Sequence, residues 1–204
     1  MAGLSPQIAA AAALTVLALG DSLTQGYGLP QEDGFVPVLQ EWLTAQGRDV
    51  TVINAGVSGD TTAGGLSRLI WSLTPEVDAM IVTLGGNDLL RGLPPEESRK
   101  NLEAILAEAQ ARDLPVLLIG ILAPGNYGPE YKASFDAIYT DLAAQYGTLL
   151  AQNFFAPLLA ESDDPAEQRA FMQADGIHPN ADGVIKIVDG LGPQVVQLLE
   201  QAAD

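Results

Sequence analysis

The chain contains no cysteine, so neither a disulfide framework nor thiol catalysis is available to it. It holds a single histidine, His178. Basic residues are scarce: 9 Lys and Arg stand against 26 Asp and Glu, for a formal net charge of -17. So acidic a surface repels nucleic acid and anionic lipid at long range, which argues against nucleic-acid binding. The excess charge serves solubility, or adaptation to a salty environment where screening relieves self-repulsion. The Ala-rich apolar run from Ile8 to Gly20 is too short to span a bilayer, and no stable membrane insertion is expected. No Lys or Arg precedes Arg48, so the basic start of a signal peptide is missing. Residues 1–13 are expected to form a disordered or leader-remnant start. Internal repeats and low-complexity linkers are absent as well.

What is present is a globular composition. Of 204 residues, 48% are apolar and 17% charged, which suits one domain over 1–204 with a full core. Leu14 to Gly20 is a continuous apolar run closed by glycine and predicts a strand buried on both faces. Further strands are predicted at Val50–Ile53, Val77–Leu84, Pro115–Leu122 and, briefly, Thr148–Ala151. Helical spacing links Phe35, Val38, Leu39, Trp42 and Leu43. It also links Leu66, Leu69, Ile70 and Leu73, with Thr61 or Thr62 as the cap. Pro95 suits a first helical turn ahead of Leu102, Ile105, Leu106 and Ala109. Phe135, Ile138, Tyr139, Leu142 and Tyr146 line another helix. A last helix starts after Asn180, and Gly190, Gly192 and Pro193 are expected to kink or break it. Alternating strands and helices predict an α/β fold with one parallel sheet of about five strands and helices on both faces. In such sheets ligands bind beyond the carboxyl ends of the strands.

Four polar clusters fall at those ends or just before a helix. They are Gly20-Asp21-Ser22-Leu23, Asn54 to Asp60, Gly85-Gly86-Asn87-Asp88, and Asp175 to Asn180. Each alone reads as an ordinary turn or cap. Together they supply the parts of acyl transfer. A serine nucleophile needs a base, and His178 is the only imidazole. Asp175, three residues earlier, can accept from its Nδ1–H and stabilise the imidazolium, while Nε2 takes the proton of Ser22. Asp182 is less suited, because it falls inside the helix. The backbone N–H groups of Ser22 and Gly59 and the side-chain amide of Asn87 are candidate donors to an oxyanion. An unperturbed imidazole titrates near about 6.5, so activity is expected to rise through mildly acidic pH and stay high in the alkaline range. Asp21, Asp60 and Asp88 are expected to bond local backbone N–H groups rather than act directly.

The four blocks in order resemble the SGNH (GDSL) hydrolase superfamily, most of all the bacterial thioesterase I, lysophospholipase and arylesterase group. The stretches that carry the resemblance are Gly20 to Gly28, Ser58 to Thr61, Leu84 to Gly92, Pro124 to Gly128 and Asp175 to Asn180. It runs from about Leu14 to the last helix. It implies a flavodoxin-like three-layer α/β/α fold, a Ser22–His178–Asp175 triad, an oxyanion hole of Ser22, Gly59 and Asn87, no cofactor and no metal. Periplasmic or secreted localisation is implied in the same way. Gly56 departs from the pattern, in which serine is usual.

The expected substrate is a short- to medium-chain aryl or alkyl carboxylic ester, acted on by a monomer or weak oligomer. Acyl-thioesterase and lysophospholipase activity are the alternatives at the same site. Leu89, Leu90 and Leu93 are expected either to plug the core edge or to form one wall of an acyl pocket, with Tyr127 and Ile177 opposite. Two other classes stay in view. One is a metal-dependent phosphoesterase using Asp21, Asp60, Asp88 and Asp175. The other is a non-catalytic flavodoxin-like binding module.

Overall fold

The computed structural model of the chain describes residues 13–161 and 164–203. The expectation for the amino-terminal start lies, up to residue 12, outside the described residues. Chain order runs β1 (Leu14–Gly20), α1 (Ser22–Gln25), α2 (Phe35–Ala45), β2 (Val50–Gly56), α3 (Thr62–Ser72), β3 (Ala79–Thr83) and α4 (Gly86–Leu90). It continues with α5 (Pro95–Ala111), β4 (Val116–Ile119), α6 (Pro129–Tyr146), β5 (Leu149–Ala151), α7 (Ala156–Glu161), α8 (Pro165–Arg169) and α9 (Ala181–Ala203). The strands form one parallel sheet in the order β2-β1-β3-β4-β5. One face carries α2, α7 and α9, and the other carries α3, α5 and α6, which makes the three-layer α/β/α architecture.

The central strands have no polar face. Every residue of β3 and β4 is buried, as expected where helices cover both sides. The edge strand β2 instead alternates, with Val50 and Val52 buried and Thr51 and Ile53 exposed. Wholly buried Leu17 and Leu19 of β1 each contribute about 1.5–3 kcal/mol of hydrophobic stabilisation. Register pairs Gly20 with Gly56 on one side and with Thr83 on the other. Three strand ends therefore finish level, at the edge where the polar clusters begin.

Several boundaries differ from the sequence-based expectation. β2 runs three residues further, to Gly56, while β3 and β4 are shorter than their apolar runs. The run past β4 stays largely buried, but Gly120 bonds across to Ala151 and Phe154 outside a regular strand. Thr61 is the cap of α3, and its hydroxyl accepts from Gly64 N. Ile70 does not share the buried face of α3; it is exposed beside Trp71. Gly86-Asn87-Asp88 opens the short helix α4 rather than forming a turn.

The last helix is unbroken over 23 residues despite Pro193. A proline inside a helix typically costs about 3 kcal/mol. Here the helix packs across four of the five strands, and that burial outweighs the lost bond. Gly190 and Gly192 let it press against Pro157 and Trp42, where a Cβ would collide with either ring. Asn180 caps it, accepting from Gly183 N at 2.9 Å.

Candidate active site

Ser22 opens α1 directly beyond the end of β1. The chain turns sharply here because Gly20 has no side chain; a Cβ would strike Thr24 and the Thr83 carbonyl. Asp21 caps the single turn of α1, accepting from Leu23 N at 3.0 Å. The fourth cluster is shaped by the carboxylate of Asp175. Its Oδ1 accepts from the backbone N–H groups of Ile177, at 2.9 Å, and His178, at 3.0 Å. Its other oxygen is left for the imidazole: His178 Nδ1 lies 2.6 Å from Asp175 Oδ2. His178 Nε2 lies 2.9 Å from Ser22 Oγ. The His178 hydrogen bond, and then the two backbone N–H donors, hold the Asp175 carboxyl down at about 2. Ionised Asp175 accepts a hydrogen bond from Nδ1–H and keeps the proton on that nitrogen, so Nε2 is free to accept from the serine hydroxyl.

Asn87, in the first turn of α4, donates from Nδ2 to the Asp60 carbonyl at 3.0 Å and to Asp21 Oδ2 at 3.3 Å. Gly59 lies in the turn after β2, where its carbonyl accepts from Arg91 Nη2 at 2.6 Å. Of the flanking acids, Asp21 makes the local backbone bond expected of it. Asp60 instead forms an ion pair with Arg68, Nε to Oδ2 at 2.6 Å. Asp88 is buried and ties α4 to α3 and α5. It accepts from Thr62 N, Thr62 Oγ1 and Ser98 Oγ at 2.8, 2.6 and 3.0 Å. Among the described residues, no group of three or more acidic or histidine side chains is arranged to hold a metal ion. None of the described helices is long and apolar enough to cross a membrane.

A half-open cavity of about 270 Å³ lies against Ser22 and Asn87. Leu89, Leu90 and Ile177 line it, together with Ile121, Leu122, Pro124 and Phe155. Leu93 and Tyr127 are outside this lining. Leu93 is half-buried, with its carbonyl bonded to Tyr131, and Tyr127 packs over Gly92 and against the Tyr131 ring. Two larger hollows, of about 320 and 470 Å³, hold no residue of the four clusters and sit by the opposite ends of the strands.

Sequence reasoning missed three residues around this site. Tyr27 lays its ring 4.7 Å from the imidazole of His178. Gln173 donates to the carbonyls of Tyr27 and Pro179, joining the first cluster to the last. Arg68 reaches the ends of two strands. Its one sequence signal is that it is the sole charged residue in α3.

Asp21 gives a stability expectation. Burial pushes its carboxyl up to about 6 from an ordinary 3.8, against the opposing bonds from Leu23 N and Asn87. The folded state then binds the extra proton between those values, so this group's contribution to stability falls as pH rises through the window. Asp21→Asn cannot ionise. Its unfolding free energy is expected to gain on the parent's between pH 4 and pH 7, by on the order of 3 kcal/mol at most, and its melting temperature to rise relative to the parent's over the same range. A difference that does not change with pH counts against a buried, titrating Asp21.

A parallel α/β/α layer with these clusters at its carboxyl edge is the architecture of SGNH hydrolases. The model of the GDSL-like Lipase/Acylhydrolase family matches residues 18–184, and the chain belongs to that family. By class it is a carboxylic ester hydrolase. It is 40% identical over 190 residues to Esterase TesA of Pseudomonas aeruginosa, covering 93% of this chain and 91% of that one. Identity to Thioesterase 1/protease 1/lysophospholipase L1 of Escherichia coli K12 is 36% over 191 residues, covering 93% and 87%. The crystal structure of the psychrotrophic esterase EstA from Pseudoalteromonas sp., inhibited by monoethylphosphonate, superposes with a TM-score of 0.81 at 35% identity, covering 91% of this chain and 98% of that one.

Proposed function

We propose that the protein hydrolyses short- to medium-chain aryl and alkyl esters through a Ser22 acyl-enzyme, with His178 as base and Asp175 orienting it. The observation that carries this is the unbroken chain Ser22 Oγ–His178 Nε2, 2.9 Å, and His178 Nδ1–Asp175 Oδ2, 2.6 Å, beside an apolar cavity. Ser22 Oγ attacks the ester carbonyl carbon as its proton passes to Nε2. The carbonyl oxygen becomes an oxyanion, held by Ser22 N–H, Gly59 N–H and Asn87 Nδ2. Collapse breaks the C–O bond, and His178 returns the proton to the departing alcohol. Water, deprotonated by the same imidazole, then releases the acid.

Asn87 has two amide hydrogens, and both have acceptors at rest. One must turn to the oxyanion as charge develops, and the longer bond, to Asp21, is the one that yields. Thioesters and lysophospholipids present the same acyl carbonyl, and an E. coli relative is named for both activities. The net charge of -17 favours neutral esters over thioesters on polyanionic carriers.

Labelling with a fluorophosphonate tests the nucleophile: one adduct per chain is expected, on Ser22, and none in Ser22→Ala. A p-nitrophenyl ester series tests the cavity. Each buried CH₂ is worth about 0.8 kcal/mol, or roughly fourfold in binding. Leu90→Ala and Ile177→Ala should therefore shift the preferred acyl length while acetate hydrolysis is nearly kept. Leu93→Ala should leave the length profile in place. A uniform fall across all lengths in the first two variants means that they position other groups rather than meet the acyl chain.

A further inference from the structure

We infer that Arg68 is a positioning residue that sets the geometry of the oxyanion donors, an inference that rests on the acyl-transfer reading of the site. Its guanidinium makes three bonds to three separate segments. Nη2 donates to the Gly20 carbonyl at 2.7 Å, Nη1 to the Ala55 carbonyl at 2.7 Å, and Nε to Asp60 Oδ2 at 2.6 Å. Gly20 closes β1 two residues before Ser22. Ala55 is the penultimate residue of β2, whose following turn carries Gly59. Asp60 is the next residue after Gly59, and its backbone carbonyl is the 3.0 Å acceptor of Asn87 Nδ2. One planar cation therefore ties together the segments that carry Ser22 and Gly59 and holds the residue whose carbonyl accepts from the third donor, Asn87, without lining the cavity where a substrate would lie.

The position of the charge has an electrostatic consequence. Carbonyls at the ends of β1 and β2, among them those of Gly20 and Ala55, carry partial negative charge that opposes an oxyanion formed nearby. Arg68 pairs with two of those carbonyls, and its side chain is only 21% exposed, so solvent screens it weakly. The geometry also demands arginine. Three acceptors spread around a plane match the rigid guanidinium fork, which the compact ammonium of lysine cannot span. Arg91 serves only the Gly59 carbonyl, from an exposed position.

The test separates positioning from folding. Arg68→Lys and Arg68→Ala are assayed on p-nitrophenyl butyrate, with melting temperatures recorded alongside. Loss of one oxyanion donor typically lowers kcat by about 10²–10³-fold. Arg68→Ala is expected to lose about 10²-fold in kcat with KM within about threefold of the parent. Arg68→Lys should lose at least about tenfold, since charge alone does not restore the fork. Guanidinium chloride at tens of millimolar, far below denaturing concentration, should restore activity to Arg68→Ala, and ammonium chloride should not. Full kcat in Arg68→Lys overturns the proposal. So does a folded Arg68→Ala that guanidinium fails to rescue, or a loss confined to KM. Failure of the acyl-transfer reading has a separate signature: a parent enzyme in which fluorophosphonate does not label Ser22.

Discussion

His178→Ala should lower kcat for ester hydrolysis by about 10⁵–10⁶-fold while leaving the fold intact. The size of the loss follows from the composition. No second histidine exists anywhere in the chain to take over the proton. Tyr27 and Asp175 touch the ring, Gln173 braces its loop, and none of them can replace it. Tyr27 packs its ring against the imidazole at a 40° tilt, Gln173 is engaged with two carbonyls, and Asp175 has one oxygen held by backbone N–H groups. A residual rate of about 10³–10⁴ over water should persist from the oxyanion donors alone. Ser22→Ala should lose as much, and the double variant no more, because the two residues act as one unit. Asp175→Asn should lose roughly 10- to 100-fold less than His178→Ala. Its single carbonyl oxygen would still serve the two backbone donors, but its amide would face Nδ1 and favour the wrong tautomer. The measurement is single-site kcat, with folding checked by circular dichroism. Turnover by His178→Ala within about a hundredfold of the parent would remove imidazole from the mechanism.

Gly85→Ala is expected to destabilise the protein strongly, because one methyl there meets both backbone strain and a buried ring. Gly85 caps α4 at φ 118°, ψ -16°, a region that side-chain-bearing residues rarely enter. Left-handed backbone alone costs about 1–2 kcal/mol. The added Cβ would also run into the hydroxyl of Tyr139 and crowd Phe135, both fully buried. That hydroxyl donates to the Leu84 carbonyl at 2.9 Å, and burial raises its pKa. Overpacking of this kind typically adds about 1–3 kcal/mol. The total, roughly 2–5 kcal/mol, corresponds to a fall in melting temperature of about 10 °C for a chain of this size. Asn87 follows two residues later, so kcat should fall with it. A melting temperature within about 2 °C of the parent's would show that Tyr139 yields easily and that the cap is not strained.

The fold and most of the site could be read from the chain because their signals are local. A strand buried on both faces must be a continuous apolar run, and Leu14 to Gly20 can hardly be anything else. Asp175 and His178 lie three residues apart, so one turn builds their contact. Asn180 capped the last helix as expected for the same reason. Where the reading failed, the deciding force acted at long range. Glycine and proline at 190, 192 and 193 weaken an isolated helix, but burial across the sheet holds α9 together. Leu93 has the same side chain as Leu89 and Leu90 and lies close to them in sequence. Only the path of the chain beyond α4 turns it away from the cavity.

The sequence by itself determined the alternation of strands and helices, the end of the sheet that carries the polar groups and the identity of those groups, because backbone periodicity, turn chemistry and residue type need no distant partner. Tertiary structure alone decided that Asp60 pairs with Arg68 rather than with its own backbone. It also decided that Asp88 joins three helices and that Arg68 reaches carbonyls 13 and 48 residues away. Those bonds are made between groups far apart in the chain, and they form only where packing of the helices on the sheet excludes water and brings the partners within 3 Å.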